Sequence, residues 1–303
     1  MSTDNQLSRQ LIWEKPPLPQ RIGLALGGGA ARGVAHIGVL QALETYGLRP
    51  SFIVGASAGA LVGGLYAAGI APATMATLAH SLKWRDISGL PITISWTTLA
   101  ARTMPLGILD LDRLSDWIRN VLGADLYFAD LQIPFAAIAT DIANGQSIML
   151  NEGAIAPAIR ASCSVPGIFT PVRRNGRLLV DGGASNNLPV SAVQQMGADY
   201  VIAVDLLPSV GSPVPEPKNI LEVSITAIYA LIRAAQVDIS LANCMIEPKV
   251  GHISLADLTG IDELIAAGYT ATIAQIPQIL TALGLPLASA PPTDALSEYD
   301  ELP

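Results

Sequence analysis

Phe52-Ile53-Val54-Gly55-Ala56-Ser57-Ala58-Gly59-Ala60-Leu61-Val62-Gly63-Gly64 reads as a short apolar strand, a tight turn of small residues and the opening of an Ala-rich helix. No Asp, Glu, Lys or Arg occurs between Arg49 and Lys83. On hydropathy alone the region mimics a membrane span, which needs ~20 mainly apolar residues. Gly55, Gly59, Gly63, Gly64, Gly69 and Pro72 interrupt it, and Ser51, Ser57 and Thr74 add hydroxyls. A strand covered on both faces and followed by a helix has this composition. The membrane span is therefore rejected.

Working outward, Ile22 to Leu26 is a second buried strand, followed by a Gly27-Gly28-Gly29 turn. A helix is expected from about Ala31 to Tyr46, because His36, Val39, Leu40, Leu43 and Tyr46 recur at helical spacing. Strand, helix, strand, helix implies a parallel sheet with right-handed crossovers. Further strands are expected at Phe135–Thr140, at Ser147–Leu150 beside it, at Leu178–Val180 and at Tyr200–Val204. Helices are expected at Ile155–Ser162, Pro189–Met196, Ile220–Met245 and Asp262–Leu283, with a last strand at His252–Leu255. The fold class is α/β: three layers, α/β/α, around a mainly parallel sheet. Residues 1–20 read as an arm, 21–287 as a single domain, and 288–303 as an acidic tail that lacks the apolar content to fold.

Composition agrees. Half of the 303 residues are hydrophobic and only 14% are charged, against the usual quarter. The net charge of −8 disfavours nucleic acid as a partner and gives little global attraction to anionic lipid. A lipid substrate, and any transient contact with a membrane surface, would depend on apolar contact or a local basic patch. No basic start followed by an apolar core follows Met1. The two cysteines, Cys163 and Cys244, stand far apart and suggest neither a disulfide framework nor a zinc cluster. A reducing cytoplasmic setting fits. No cofactor motif is recognised.

Gly55-x-Ser57-x-Gly59 is non-specific by itself, and an N-capping serine in a tight turn explains it as well. Its setting between strand and helix is what a nucleophile elbow requires. Gly27-Gly28-Gly29-Ala30-Ala31-Arg32-Gly33 also joins strand to helix, so its backbone N–H groups suit an anion. A dinucleotide fingerprint fails at Ala30, and a Walker lysine is missing because Arg32 is followed by Gly33 and Val34. An oxyanion hole and a plain tight turn remain. The two loops would lie side by side at the carboxyl edge of a parallel sheet, where ligands of such folds bind.

A serine nucleophile needs a base. His36 lies on the packed face of a helix and His80 near a helix end at the surface. His252 is late enough for a triad order but lacks a Gly-rich loop around it. Asp181 ends an apolar strand and is followed by Gly182-Gly183, which would leave its carboxylate at the same sheet edge. In a dry pocket its pKa would rise toward that of a useful base.

In this order the three motifs resemble the patatin-like phospholipase family. Ala161-Ser162-Cys163-Ser164-Val165-Pro166-Gly167-Ile168-Phe169 is similar to a further block of that family. Residues 30–40 are similar to bacterial members near the neuropathy-target-esterase branch. The resemblance covers about residues 21–206. It implies a Ser–Asp dyad with Ser57 as nucleophile and Asp181 as base, and oxyanion donors from Gly27, Gly28, Gly29 and Ala30. Supporting roles fall to Arg32, Gly33, Gly55, Gly59, Gly182 and Gly183, with Arg32 bracing the loop or meeting a phosphate. Ala30 departs from the fourth glycine of many members. The implied substrates are acyl esters, lysophospholipids or phospholipids, and the implied reaction proceeds through an acyl-enzyme. A non-enzymatic regulator or membrane-associated scaffold that keeps the fold is the rival reading. Segment 72–125, with Trp96, Leu99, Met104 and Leu106, is expected to supply a lid or acyl pocket.

Overall fold

The computed structural model describes residues 20–89, 106–207, 215–218, 220–234 and 241–287. The expected tail and nearly all of the expected arm lie outside these residues, as do Trp96, Leu99 and Met104. Leu106 is described and is 59% exposed.

Among the described residues, the organising element is an eight-stranded sheet. Its strands are β1 (Ile22–Leu26), β2 (Pro50–Ala56), β4 (Phe135–Asp141), β5 (Ser147–Leu150), β7 (Val172–Arg174), β8 (Arg177–Asp181), β9 (Tyr200–Val204) and β10 (Cys244–Ile246), in the order β10-β9-β1-β2-β4-β8-β7 with β5 beside β4. The run from β10 to β4 is parallel; β5, β8 and β7 join antiparallel. A small separate pair joins β3 (Gly107–Leu109) to β6 (Gly167–Phe169).

Alternate residues of the central strands enter different cores. Leu24, Leu26, Ile53, Ile202 and Val204 face one apolar layer, while Ala25, Val54, Ala56, Val201 and Ala203 face another. Successive side chains of a strand point to opposite faces, so a strand buried on both faces must be apolar throughout. Helices α1 (Ala35–Thr45), α2 (Ala58–Ala67) and α10 (Ile261–Ala282) cover the first face, and α8 (Val190–Gln195) covers the second. This is the expected three-layer architecture. Among the described residues, no helix is long and apolar enough to cross a membrane.

Three expectations need correction. The helix expected from Ala31 begins as a 3₁₀ turn over Ala30–Val34 and becomes α only at Ala35. The helix expected over Ile220–Met245 is described only over Ile220–Ala234, and Cys244–Ile246 is instead the edge strand β10, parallel to β9. Pairing with the open edge of β9 decides that short apolar run, which periodicity alone cannot assign. His252–Leu255 is not a strand; the carbonyls of Gly251, Ile253 and Leu255 accept hydrogen bonds from the glycine loop.

Candidate functional site

Register places the two loops together. Leu26, the last residue of β1, pairs with Gly55 on one side and Val204 on the other. The glycine loop and Ser57 therefore leave the sheet at the same level and on neighbouring strands. Ser57 has φ 52° and ψ −122°, a left-handed conformation that costs a non-glycine residue on the order of 1–3 kcal/mol. The turn is tight enough that a Cβ on Gly59 would lie 2.2 Å from the Leu26 carbonyl oxygen. A Cβ on Gly33 would lie 2.3 Å from Ala58 Cβ, so the glycine loop rests directly on the start of α2. Ser57 itself is buried.

Asp181 reaches this level from the other direction, which the sequence reading did not foresee. Its strand β8 is antiparallel to β4, with Asp181 opposite Ala139, while Ala56 pairs with Ile138. Asp181 thus ends level with Ser57 although β8 runs against the parallel strands. Asp181 Oδ1 accepts the Gly183 N–H at 2.7 Å. Oδ2 is buried and, among the described residues, has no hydrogen bond of good geometry; the Ser57 hydroxyl is the side-chain group that acts on the carboxyl. Burial pushes the pKa of Asp181 up to about 6, against the opposing pull of Ser57 and the Gly183 N–H.

One segment ties Ser57 and Asp181 together. The Ser57 N–H donates to Ser162 Oγ at 2.9 Å, while the Ser162 carbonyl accepts the Gly182 N–H and the Ser164 carbonyl accepts the Asp181 N–H. Ser162 is fully buried. Ser162→Ala leaves the Ser57 N–H without its acceptor, and an unsatisfied buried donor costs about 1–3 kcal/mol. The expected result is a lower urea midpoint with an unchanged m-value.

The glycine loop divides its amides. The Gly27 N–H goes to the Val204 carbonyl at 3.0 Å and the Gly28 N–H to the Asn187 carbonyl at 3.3 Å, so neither is spare for an anion. Among the described residues, no main-chain carbonyl takes the N–H of Gly29 or Ala30. Ala30 has φ 48°, so the methyl at this position sits in a conformation that glycine adopts freely. Arg32 braces the loop: Nε donates to the Ile253 carbonyl and Nη2 to the Gly251 carbonyl, both at 2.8 Å. Burial lowers its pKa to about 10.

The histidines stand elsewhere. His36 is buried and donates from Nε2 to the Gly27 carbonyl at 2.8 Å; burial lowers its pKa to about 4, so it is neutral and structural. His80 contacts Asp262 at 3.0 Å and His252 contacts Glu263 at 2.6 Å, both at the surface. Burial and the nearby Asp181 carboxylate push the Cys163 thiol well above its ordinary range. That is the reverse of an activated thiol.

Two residues that the sequence reading missed complete the site. Asn187 is buried beside Gly28 and Gly183, and among the described residues neither Oδ1 nor Nδ2 of its amide has a hydrogen-bond partner. Tyr229, on α9 (Ile220–Ala234), is buried with its hydroxyl toward Ser57, Asp181 and the Ala30 N–H. No short-range motif marks either residue; chain folding alone brings them in. Tyr229 also lines a cleft of about 390 Å³ that includes Arg32, Lys218, Arg233 and Ser254 but not Ser57. Tyr229 therefore stands between this cleft and Ser57. Among the described residues, no cluster of His, Cys, Asp and Glu is arranged to hold a metal ion.

Comparison with known proteins gives a consistent picture. The family model described as patatin-like phospholipase matches residues 24–193. An uncharacterized NTE family protein of Mycobacterium bovis is 40% identical over 193 residues, covering 64% of this chain and 51% of that protein. Lysophospholipase NTE1 of Cryptococcus neoformans is 35% identical over 189 residues, covering 62% of this chain and 11% of that protein. The chain thus spans about half the length of its mycobacterial relatives. Among solved structures, VipD of Legionella pneumophila superposes with a TM-score of 0.49 at 16% identity, covering 86% of this chain and 67% of that one.

Proposed function

The chain belongs to the patatin-like phospholipase family, and from that premise we propose that it hydrolyses fatty-acyl esters of lysophospholipids or phospholipids through Ser57 and Asp181. One observation carries the reading: a buried serine in a strained strand–helix turn lies beside a buried carboxylate whose second oxygen, among the described residues, has no hydrogen bond of good geometry. Buried polar atoms are rarely left unpaired without a functional reason.

In the proposed reaction Ser57 Oγ attacks the acyl carbon while Asp181 takes the hydroxyl proton. The carbonyl electrons move onto the acyl oxygen, which meets the N–H groups of Gly29 and Ala30. Collapse breaks the ester bond, and Asp181 returns the proton to the departing alcohol. Water then attacks the acyl-enzyme with Asp181 again as base, which releases the fatty acid and restores Ser57. The Gly29 and Ala30 amides, which no main-chain carbonyl takes among the described residues, the start of α2 behind Ser57 and the elevated pKa of Asp181 support these roles. Val223 and Leu231, exposed on the same helix α9 that carries Tyr229, support transient contact with a lipid surface. The first core cluster runs from Ile22 to Leu283, which supports reading 21–287 as one domain.

The test is fatty-acid release from lysophospholipids, phospholipids and short-chain esters, run beside labelling with a fluorophosphonate. Turnover with label on the Ser57 peptide is expected. Label with no release from any of the three substrate classes would instead point to a non-enzymatic scaffold. Because Asp181 must be ionised to accept the proton, kcat/KM is expected to rise with pH through a single ionisation near pH 6 and then level off. A profile flat from pH 4.5 to 8 would contradict Asp181 as the base.

A further inference from the structure

We propose that the Tyr229 hydroxyl is a catalytic hydrogen-bond donor to the acyl oxygen of the substrate, acting alongside the N–H groups of Gly29 and Ala30. The inference rests on Ser57 being the nucleophile.

The argument begins with packing. Tyr229, Leu207, Ile232 and Leu255 form a small apolar cluster of their own, with Ala30 packed against it. The aromatic ring is thereby fixed against the glycine loop. Ile232, one turn further along α9, lies close enough to Gly183 that a Cβ there would come within 3.2 Å of its Cδ1. Helix α9 is therefore seated over both the glycine loop and the Asp181 turn, and Tyr229 projects between them.

The hydroxyl is the informative atom. It is buried and, among the described residues, closes no hydrogen bond of good geometry, although the Ser57 hydroxyl, the Ala30 N–H and the Asp181 carboxyl all surround it. A phenol that served only packing would be better as phenylalanine, since an unsatisfied buried hydroxyl is destabilising. The acceptor assigned to it here arrives with the substrate. The acyl oxygen at Ser57 is such an acceptor, and it gains negative charge as the tetrahedral species forms. A preorganised donor beside it acts more strongly in the transition state than in the ground state. Burial and the Asp181 charge hold the phenol protonated, so Tyr229 donates a hydrogen bond and keeps its proton. Asp181 alone carries the proton between Ser57 and the leaving alcohol. Tyr229 also lines the 390 Å³ cleft, so a substrate entering by that route meets the hydroxyl on its way to Ser57.

Tyr229→Phe tests this with kcat, KM and thermal unfolding measured on the full chain. Removing one oxyanion donor lowers kcat by roughly 100-fold or more, and a fall of at least tenfold with KM within about twofold is expected. The melting temperature should stay level or rise, because an unsatisfied hydroxyl has been removed while the ring remains. A hydroxyl with a purely structural bond would move the other way, lowering the melting temperature and sparing kcat. Wild-type kcat in Tyr229→Phe overturns the proposal. Faster turnover overturns it too and makes Tyr229 a plug in the site. Ser57→Ala in parallel separates the two readings. Turnover that survives Ser57→Ala overturns the nucleophile and this inference together. A dead Ser57→Ala beside an unimpaired Tyr229→Phe overturns only the inference.

Discussion

Ser57→Ala and Ser57→Gly are both expected to abolish ester turnover, yet to differ from each other in stability. Loss of a serine nucleophile typically costs on the order of 10⁶ in kcat, because the remaining donors can bind the acyl group but nothing attacks it. Fluorophosphonate labelling should vanish in both variants. The difference lies in the backbone. Ser57 sits at φ 52°, ψ −122°, and alanine keeps the Cβ that makes this conformation costly. Glycine relieves a strain of about 1–3 kcal/mol and loses roughly 0.5–1 kcal/mol to its freer unfolded chain. Ser57→Gly should therefore melt above Ser57→Ala, by something on the order of 1 kcal/mol in denaturant titration. Equal stabilities would mean that the elbow stores no strain. Labelling that survives in Ser57→Ala would remove Ser57 from the chemistry.

Asp181→Asn carries the second large effect, and it too trades function against stability. An amide cannot take the Ser57 proton, so turnover should fall by at least about 10⁴, as when the base function of a serine hydrolase is lost. Stability should move in the opposite direction. The folded-state pKa of Asp181 is raised to about 6 from 3.8 by burial. Below pH 3.8 the group is protonated in both folded and unfolded chains and contributes nothing. As pH rises the unfolded chain loses this proton first, and above pH 6 the folded protein bears the full cost of an ionised buried carboxylate. At ~1.36 kcal/mol per pKa unit this is on the order of 3 kcal/mol. Asp181→Asn should therefore be more stable than the wild type at pH 8, with the gap closing toward pH 4. His252→Ala, at a surface residue paired with Glu263, should turn over at the wild-type rate. The reverse pattern would restore a histidine triad.

The three-layer fold could be read from local pattern because its signals are local. Continuous apolar strands and glycine turns need no distant partner to be recognised, and Ser57, Asp181 and the glycine loop announce themselves by short spacings. The errors fall where a partner outside the sequence window decides. Cys244–Ile246 reads as the end of a helix until the open edge of β9 is known. His252–Leu255 reads as a strand until Arg32 and Ala31 claim the carbonyls of that segment.

The sequence by itself determined the candidate residues: a serine among small neighbours, an aspartate at a strand end and a loop of glycines. Tertiary structure alone decided how they meet. An antiparallel β8 brings Asp181 level with Ser57, and Ser162 Oγ holds the Ser57 N–H. Gly27 and Gly28 spend their amides within the fold, while Tyr229 arrives from about 170 residues away along the chain. The physical reason is that burial, pKa and hydrogen-bond satisfaction depend on what surrounds a group in space, and a strand's neighbours in a sheet are set by register rather than by distance along the chain.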